Sequence, residues 1–548
     1  MSAEPTLRMH PAAAWSVLVV ASLGVFLGGV ELMVVAIALP AIVADFGGWA
    51  SLARASWIVN AYLLAYIVAM PLAGRAADLW GARRLYVVAL ALFCAGSLGA
   101  GLSRAAGPDT GLDWLIVSRV VQGFGGGAMV PLSMALASHL FVGRSRAAAL
   151  GVEGAATYLG MAIGPAYAAW VLLSFNLPLP GVDLASWQWI FFLNVPAGII
   201  TLLLIYVVAG GVETPRSPGR IDLFGALLIS VALLFGIGAL SLAGERGWTD
   251  PLILGGFAVA AASLLAFVFV ELRMRNPLVD PRLFANRSFS ASNAVSLLTG
   301  YTLATAIIGG PVFVNRVLNA GADQSALALT ALTGAIAVGA VAGGLLSAMA
   351  GERLTTVLGV ALTAAGLFLA ATGWGTETGV DRLARDLAIF GAGFGLTVSP
   401  RATAVVEAAG ASAYGVASAM LQITRTVGMS VGLALLTSLG QNRINDLTAL
   451  INDDARRDAL VTWLGHPEFV GVDPRASLAL VDLLEEWSRG EAADVLRLVL
   501  TIAFVVALAT ILPALLVGAR RPADGVGVED EDYSTGSATT TSSPQLRL

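Results

Sequence analysis

Four charged residues stand in the middle of long apolar runs: Glu31, Glu153, Arg401 and Arg425. A charged side chain inside a bilayer costs a few kcal/mol or more, so by default such residues mark ion or substrate pathways. The two acids lie in the first half of the chain and the two guanidiniums in its last third. That distribution points to a transporter whose halves meet across charged groups. The chemistry on offer is proton uptake and release by a carboxylate.

Glu31 falls about sixteen residues into the first apolar run, roughly 24 Å along a helix axis at 1.5 Å per residue. A carboxylate there that takes a proton when the cavity faces outward, and gives it up when it faces inward, would couple transport to the proton gradient. A structural pair with Arg119 is the competing role for Glu31. Glu153 and Arg401 fall at depths of roughly 9 and 12 Å from the same membrane face, so they could meet at the inner mouth of a cavity. Each could equally reach the interface on its own stem. Arg425 is near mid-membrane, where a lone guanidinium is hardest to accommodate, and it needs a counter-charge. Glu31 is its first candidate partner and Glu153 its second.

These residues need helices to carry them. Fourteen windows of about 20 mostly apolar residues can span a bilayer. They start near Trp15, Ser56, Leu85, Trp114, Ala147, Trp189, Asp222, Pro251, Phe289, Ser325, Thr355, Asp386, Tyr414 and Leu498. Arginine placement orients them. With the N-terminus inside, the inward side holds Arg75, Arg83, Arg84, Arg144, Arg146, Arg273, Arg275, Arg282 and Arg287, among others. The short outward loops hold only Arg54, Arg104, Arg246, Arg316, Arg382 and Arg385. The asymmetry predicts both termini in the cytoplasm. Between the last two windows, residues 441–496 have the spacing of two amphipathic helices (Leu447, Leu450 and Ile451, then Leu478, Val481 and Leu484) lying outside the bilayer. The tail 521–548 has almost no large apolar side chains and is expected to be disordered.

Composition agrees. The chain is 57% hydrophobic and 12% charged, far too apolar for a soluble protein of 548 residues. A net charge of −5 excludes a basic surface for nucleic acid. Every basic residue is arginine, so the lysine of an ATP-binding P-loop is absent and energy must come from a gradient or another subunit. Cys94 is the only cysteine, and His10, His139 and His466 are scattered, so neither a disulfide nor a metal site is expected. The glycine strings at Gly123 and Gly391 follow no strand and suit close helix packing. No nucleophile–base arrangement is present; neither a cofactor nor an enzymatic activity is expected.

The chain also repeats itself. GRAADLWGAR places Gly74, Asp78, Gly81 and Arg83 after the second window, and GLLSAMAGER places Gly344, Ala348, Gly351 and Arg353 after the tenth at the same spacing. The correspondence pairs windows 1–6 with 9–14 and leaves 7 and 8 inserted. Repeated halves with a site between them are a transporter design.

These segments resemble the major facilitator superfamily, in particular its fourteen-helix drug:proton antiporter branch, over residues 12–520. GRAADLWGARR is similar to the loop motif between helices 2 and 3, with Asp78, Arg83 and Arg84 in place. RVVQGFGGGAM is similar to the helix-4 motif through Arg119. GMAIGP resembles the helix-5 antiporter motif through Gly160, Gly164 and Pro165. Within the branch the chain looks like exporters of lipids or lipophilic drugs that work with a periplasmic lipoprotein. Glu31 and Arg425 stand where those relatives have a helix-1 carboxylate and a helix-13 arginine. Tyr158 and Glu407 replace an expected carboxylate and arginine, while Glu153 and Arg401 are this chain's own.

The resemblance implies an all-helical membrane protein with the major facilitator fold, built of two six-helix bundles (1–210 and 288–520) and two inserted helices (211–287). It implies a multi-pass protein of the inner membrane exporting lipophilic compounds, drug-like or lipid, by proton antiport. Glu31 and Glu153 would carry protons, opposed by Arg425, Arg401 and Arg119. Gly74, Asp78, Gly81, Arg83 and Arg84 would form a conformational latch. Expected partners are membrane lipids, the substrate, protons and a lipoprotein meeting the 441–496 loop. Two other readings are proton-linked uptake of a small nutrient, and a non-transporting scaffold or receptor acting through that loop.

Overall fold

The computed structural model describes residues 10–46, 52–55, 57–107, 110–174, 184–210, 212, 216, 221–474 and 477–518. The expected tail 521–548 lies outside them. The chain enters through α1 (Pro11–Asp45), the one-turn α2 (Leu52–Ala55), α3 (Trp57–Trp80) and α4 (Ala82–Gly101). It continues through α5 (Gly111–Leu140), α6 (Gly143–Ser174) and α7 (Ser186–Val208). The inserted pair is α8 (Leu223–Arg246) and α9 (Pro251–Glu271). The second half comprises α10 (Arg287–Arg316), α11 (Ala322–Ala350), α12 (Glu352–Gly373), α13 (Val380–Ala409), α14 (Tyr414–Asn452), the short α15 (Asp454–Trp463) and α16 (Leu478–Ala514). Fourteen of these helices are long and apolar enough to cross a membrane. Helices are what lipid demands, because every backbone N–H and C=O must find its partner within the segment.

The two halves are built alike. In the first, α1 packs on α6 and α7, α5 on α3 and α4, and α4 on α7. In the second, α10 packs on α14 and α16, α13 on α11 and α12, and α12 on α16. These are the same pairings shifted by eight membrane spans. Both copies of the repeated motif turn the chain with a glycine at positive φ, Gly81 at +95° and Gly351 at +86°, a region side chains avoid. The halves touch through α3 against α14 and through α6 against α11, again an equivalent pair. At each contact a motif glycine lets backbones meet. A Cβ on Gly74 would lie 2.6 Å from the Gly415 carbonyl oxygen, and one on Gly344 would lie 2.7 Å from that of Ala147. The inserted α8 and α9 pack on one another, and α8 reaches α3 and α14.

One boundary differs from the sequence reading. The amphipathic stretches of 441–496 are not separate helices. α14 runs on through Asn452, and the last spanning helix begins at Leu478, twenty residues before the apolar window near Leu498. Hydropathy falls at the membrane surface, but no proline interrupts the backbone there, so hydrogen bonding propagates past it. Around the extended end of α14 and the start of α16, Leu460, Val461, Leu480 and Leu484 form a small core with Leu450, Phe469 and Trp487 around it. Leu484 is buried there, whereas Leu478 and Val481 are exposed.

Candidate functional site

Charged side chains bearing on the interface between the halves, or on the packing behind it, gather in three places. The first is inside the N-terminal half. Glu31 on α1 is 1% exposed; its Oε1 is ion-paired with Arg119 of α5, and its Oε2 accepts from Asn194 Nδ2 of α7 at 2.7 Å. Arg119 also donates to the Ile58 carbonyl at 3.1 Å and to Gln122 Oε1 at 2.6 Å, and lies 4.1 Å over the Tyr62 ring. Gln122 passes a further bond to Ser97 of α4 at 2.7 Å. The network ties α1, α3, α4, α5 and α7 together. Glu31 is therefore paired with Arg119 and not with Arg425, because Glu31 belongs to the packed interior of its own half. The antiporter-motif glycines serve the same packing. A Cβ on Gly160 would lie 2.3 Å from the Phe26 carbonyl oxygen, and one on Gly164 would lie 3.0 Å from that of Val30. Pro165 follows within α6.

The second place lies between the halves. A small cavity is lined by Glu153, Thr157 and Tyr158 of α6, Arg401 of α13, and Gln422 and Arg425 of α14. Its space open to water is about 20 Å³, enough for roughly one molecule, so the halves are closed on one another here. Glu153 is 3% exposed, and its Oε1 has no hydrogen-bond partner among the described residues. Arg425 donates to the Tyr158 hydroxyl at 2.9 Å while its Nε is left without a partner. Arg401 and Glu153 share the cavity without forming an ion pair. Arg401 is instead held by Thr299 Oγ1 at 2.7 Å and by the Thr397 carbonyl at 2.8 Å. A rotation about α13 satisfies it from its own half, which depth along the axis could not reveal. The opposing charge that acts on Glu153 is that of Arg425.

The third place is the end of the bundle where α3 finishes and α14 starts. Asp78, 3% exposed, accepts the backbone N–H groups of Gly415 at 2.8 Å and Val416 at 3.1 Å. These are free donors at the start of α14, so the carboxylate of one half caps a helix of the other and meets the positive end of its dipole. Nearby, Arg146 of α6 donates to the Tyr414 hydroxyl at 3.0 Å and lies 3.9 Å from Glu407 of α13. Ser399 of α13 donates to the Ala147 carbonyl at 2.5 Å. Arg83 bonds the Gly210 carbonyl of its own half at 3.0 Å, and Arg84 is exposed. Asp78 and Gly74 thus cross between halves, whereas among the described residues neither arginine of the motif has a bond across.

Sequence reasoning missed Asn194, Gln122, Tyr62 and Arg146. Gln122 had a legible signal, since it follows Arg119 by three residues and shares its helix face. Asn194 had none, because a single amide in an apolar run has no spacing to read.

Repeated helical halves, inserted spans and charged groups facing each other across the interface are the architecture of a membrane transporter. The sequence profile of the Major Facilitator Superfamily matches residues 21–433, and the chain belongs to that family. It is 34% identical over 455 residues to a triacylglyceride transporter of Mycolicibacterium smegmatis, covering 80% of this chain and 78% of that one. It is 30% identical over 428 residues to the multidrug transporter protein MdtP of Bacillus subtilis, covering 78% and 75%. The human organic anion transporter MFSD10 superposes with a TM-score of 0.58 at 15% identity, over 91% of this chain and all of that one, a likeness of fold. The chain is a multi-pass membrane transporter.

Proposed function

We propose that this transporter exports lipophilic compounds, lipids or drug-like molecules, across the inner membrane by proton antiport and alternating access. The observation that carries the reading is Glu153, a bare carboxylate in the closed seam between the halves, facing a guanidinium of the opposite half. A buried acid in that position changes charge at the interface that must open and close. With Glu153 ionised, attraction to Arg425 favours the closed seam; once it is protonated, that attraction is lost and the halves part. Glu31, tied on both oxygens within one half, positions the bundle and is the secondary candidate for proton carriage. Asp78 latches the end that we assign to the cytoplasmic side, from the arginine asymmetry. The names of the triacylglyceride and multidrug relatives support a lipophilic cargo. The helical cap around Leu460 and Leu484 is where a periplasmic lipoprotein would dock, and deleting it should abolish such binding.

The test is efflux of a lipophilic dye and of a labelled triacylglycerol from proteoliposomes under an imposed pH gradient. Glu153→Gln should abolish gradient-driven efflux while leaving the protein folded. Intact gradient-driven efflux in that variant would overturn the coupling assignment.

A further inference from the structure

Two buried acids, each with one unsatisfied oxygen, sit where the inserted helices α8 and α9 meet beside α3. Asp222 caps the start of α8: its Oδ1 accepts from the Phe224 N–H at 3.0 Å, and its Oδ2 has no partner among the described residues. Glu271 ends α9: its Oε2 accepts from the Leu278 N–H at 2.7 Å, and its Oε1 likewise has none. Both side chains are buried, at 7% and 1% exposure. The two free oxygens converge on Gly225, where a Cβ would lie 2.3 Å from Glu271 Oε1 and 2.6 Å from Asp222 Oδ2. That bounds their separation at about 5 Å, near enough for two carboxylate charges in a poorly solvated site to repel strongly. The absent Cβ of Gly225 is what leaves the space they share.

Among the described residues, the charges around this pair do not balance two ionised acids. Asp222 and Arg75 of α3 are the charged side chains that act on Glu271, and Arg75 also acts on Asp78. Arg75 Nε is itself buried without a bond. Arg273, the next basic residue after α9, lies 3.4 Å over the Phe269 ring. At this end α14 contributes the N–H groups of Gly415 and Val416, and both are given to Asp78. Among the described residues, Arg75 therefore acts on two acids, Glu271 and Asp78, of which Asp78 is also satisfied by a helix end. We infer that Asp222 and Glu271 form a proton-binding site, with one proton held between Asp222 Oδ2 and Glu271 Oε1. The proton makes an O–H on one acid that the other accepts, joining the start of α8 to the end of α9 beside α3. The site lies at the latch end of the inserted pair and does not depend on the role proposed for Glu153.

Infrared difference spectroscopy of the full-length protein in lipid nanodiscs, titrated from acid to alkaline pH, reads the proton directly. The expected result is a protonated-carboxyl C=O band at neutral pH that is lost at alkaline pH. It should be absent in both Glu271→Gln and Asp222→Asn, and present in Glu153→Gln. Gly225→Ala should remove it too, since the new methyl takes the space of the shared proton. A spectrum in which neither acid substitution removes any part of the wild-type band, or one with two separate components each lost in one variant, would overturn the site. Thermal unfolding provides a second readout, because the amide variants mimic the protonated pair and should fold. Unfolding temperature should fall with alkaline pH in the wild type and lose that fall in Glu271→Gln. A wild type whose stability at fixed pH instead tracks added sodium would also overturn it.

Discussion

Arg425 of α14 is held across the interface by Tyr158 of α6, at 2.9 Å from guanidinium to hydroxyl, while Glu153 on that same helix stays unbonded. A neutral group carries the resting contact, and the charged group is left free to change. This arrangement keeps the seam closed without committing the carboxylate to a fixed ion pair, which would resist protonation. Removing the tyrosine hydroxyl leaves a half-buried guanidinium short of an acceptor, at a cost of about 1–3 kcal/mol. Tyr158→Phe should therefore slow substrate efflux by about tenfold or more at matched pH gradients, and vesicle flux assays measure it.

Glu153 and Arg425 should behave as a unit. In a double-mutant cycle of Glu153→Gln with Arg425→Gln, the effects on efflux should be non-additive by about 0.5–3 kcal/mol. The cycle of Glu153→Gln with Arg401→Gln should sit near additivity, because Arg401 is satisfied by Thr299 and Thr397. Equal coupling in both cycles would contradict the geometry.

Glu31 and Arg119 predict a defect of stability. Removing one partner of a buried pair leaves the other uncompensated, at about 3–5 kcal/mol. Arg119→Ala should lower the unfolding temperature and the yield of folded protein, and Glu31→Gln should do so less because its amide can still bond Asn194. Glu153→Gln should leave unfolding almost unchanged. Thermal unfolding in detergent separates the two acids.

The latch predicts accessibility. Asp78→Asn keeps an acceptor for Gly415 and Val416 but removes the charge at the start of α14, weakening the contact by up to about 2 kcal/mol. A cysteine placed at Ser399, which is buried and bonded to the Ala147 carbonyl of the opposite half, should then react faster with a membrane-impermeant maleimide; native Cys94 is buried. Unchanged labelling would show that Asp78 does not hold this end closed.

Backbone approach is the last prediction. Gly74→Ala sets a methyl 2.6 Å from the Gly415 carbonyl oxygen, and Gly344→Ala sets one 2.7 Å from that of Ala147. Neither neighbour is a flexible side chain that could move aside. Both variants should fail to close the latch end, raising Ser399→Cys labelling and reducing efflux, and the two should resemble each other because their contacts are equivalent.

Particular residues show how far the linear chain goes. The fourteen spans, the duplicated turn at Gly81 and Gly351, and the isolation of Glu31, Glu153, Arg401 and Arg425 in apolar surroundings were all legible. Each depends on local composition or fixed spacing, and lipid makes those decisive by forcing every backbone polar group into helix. Which acid meets which arginine was left open by the sequence. Glu31 took Arg119, offered as its structural partner, rather than Arg425, and Arg401 turned to Thr299, because rotation about a helix axis and the choice of neighbouring helix are set by packing among segments far apart in sequence. The same holds for Asp222 and Glu271. Read along the chain they are ordinary helix-end acids; only the folding of α8 against α9 over the bare backbone of Gly225 brings their unbonded oxygens together.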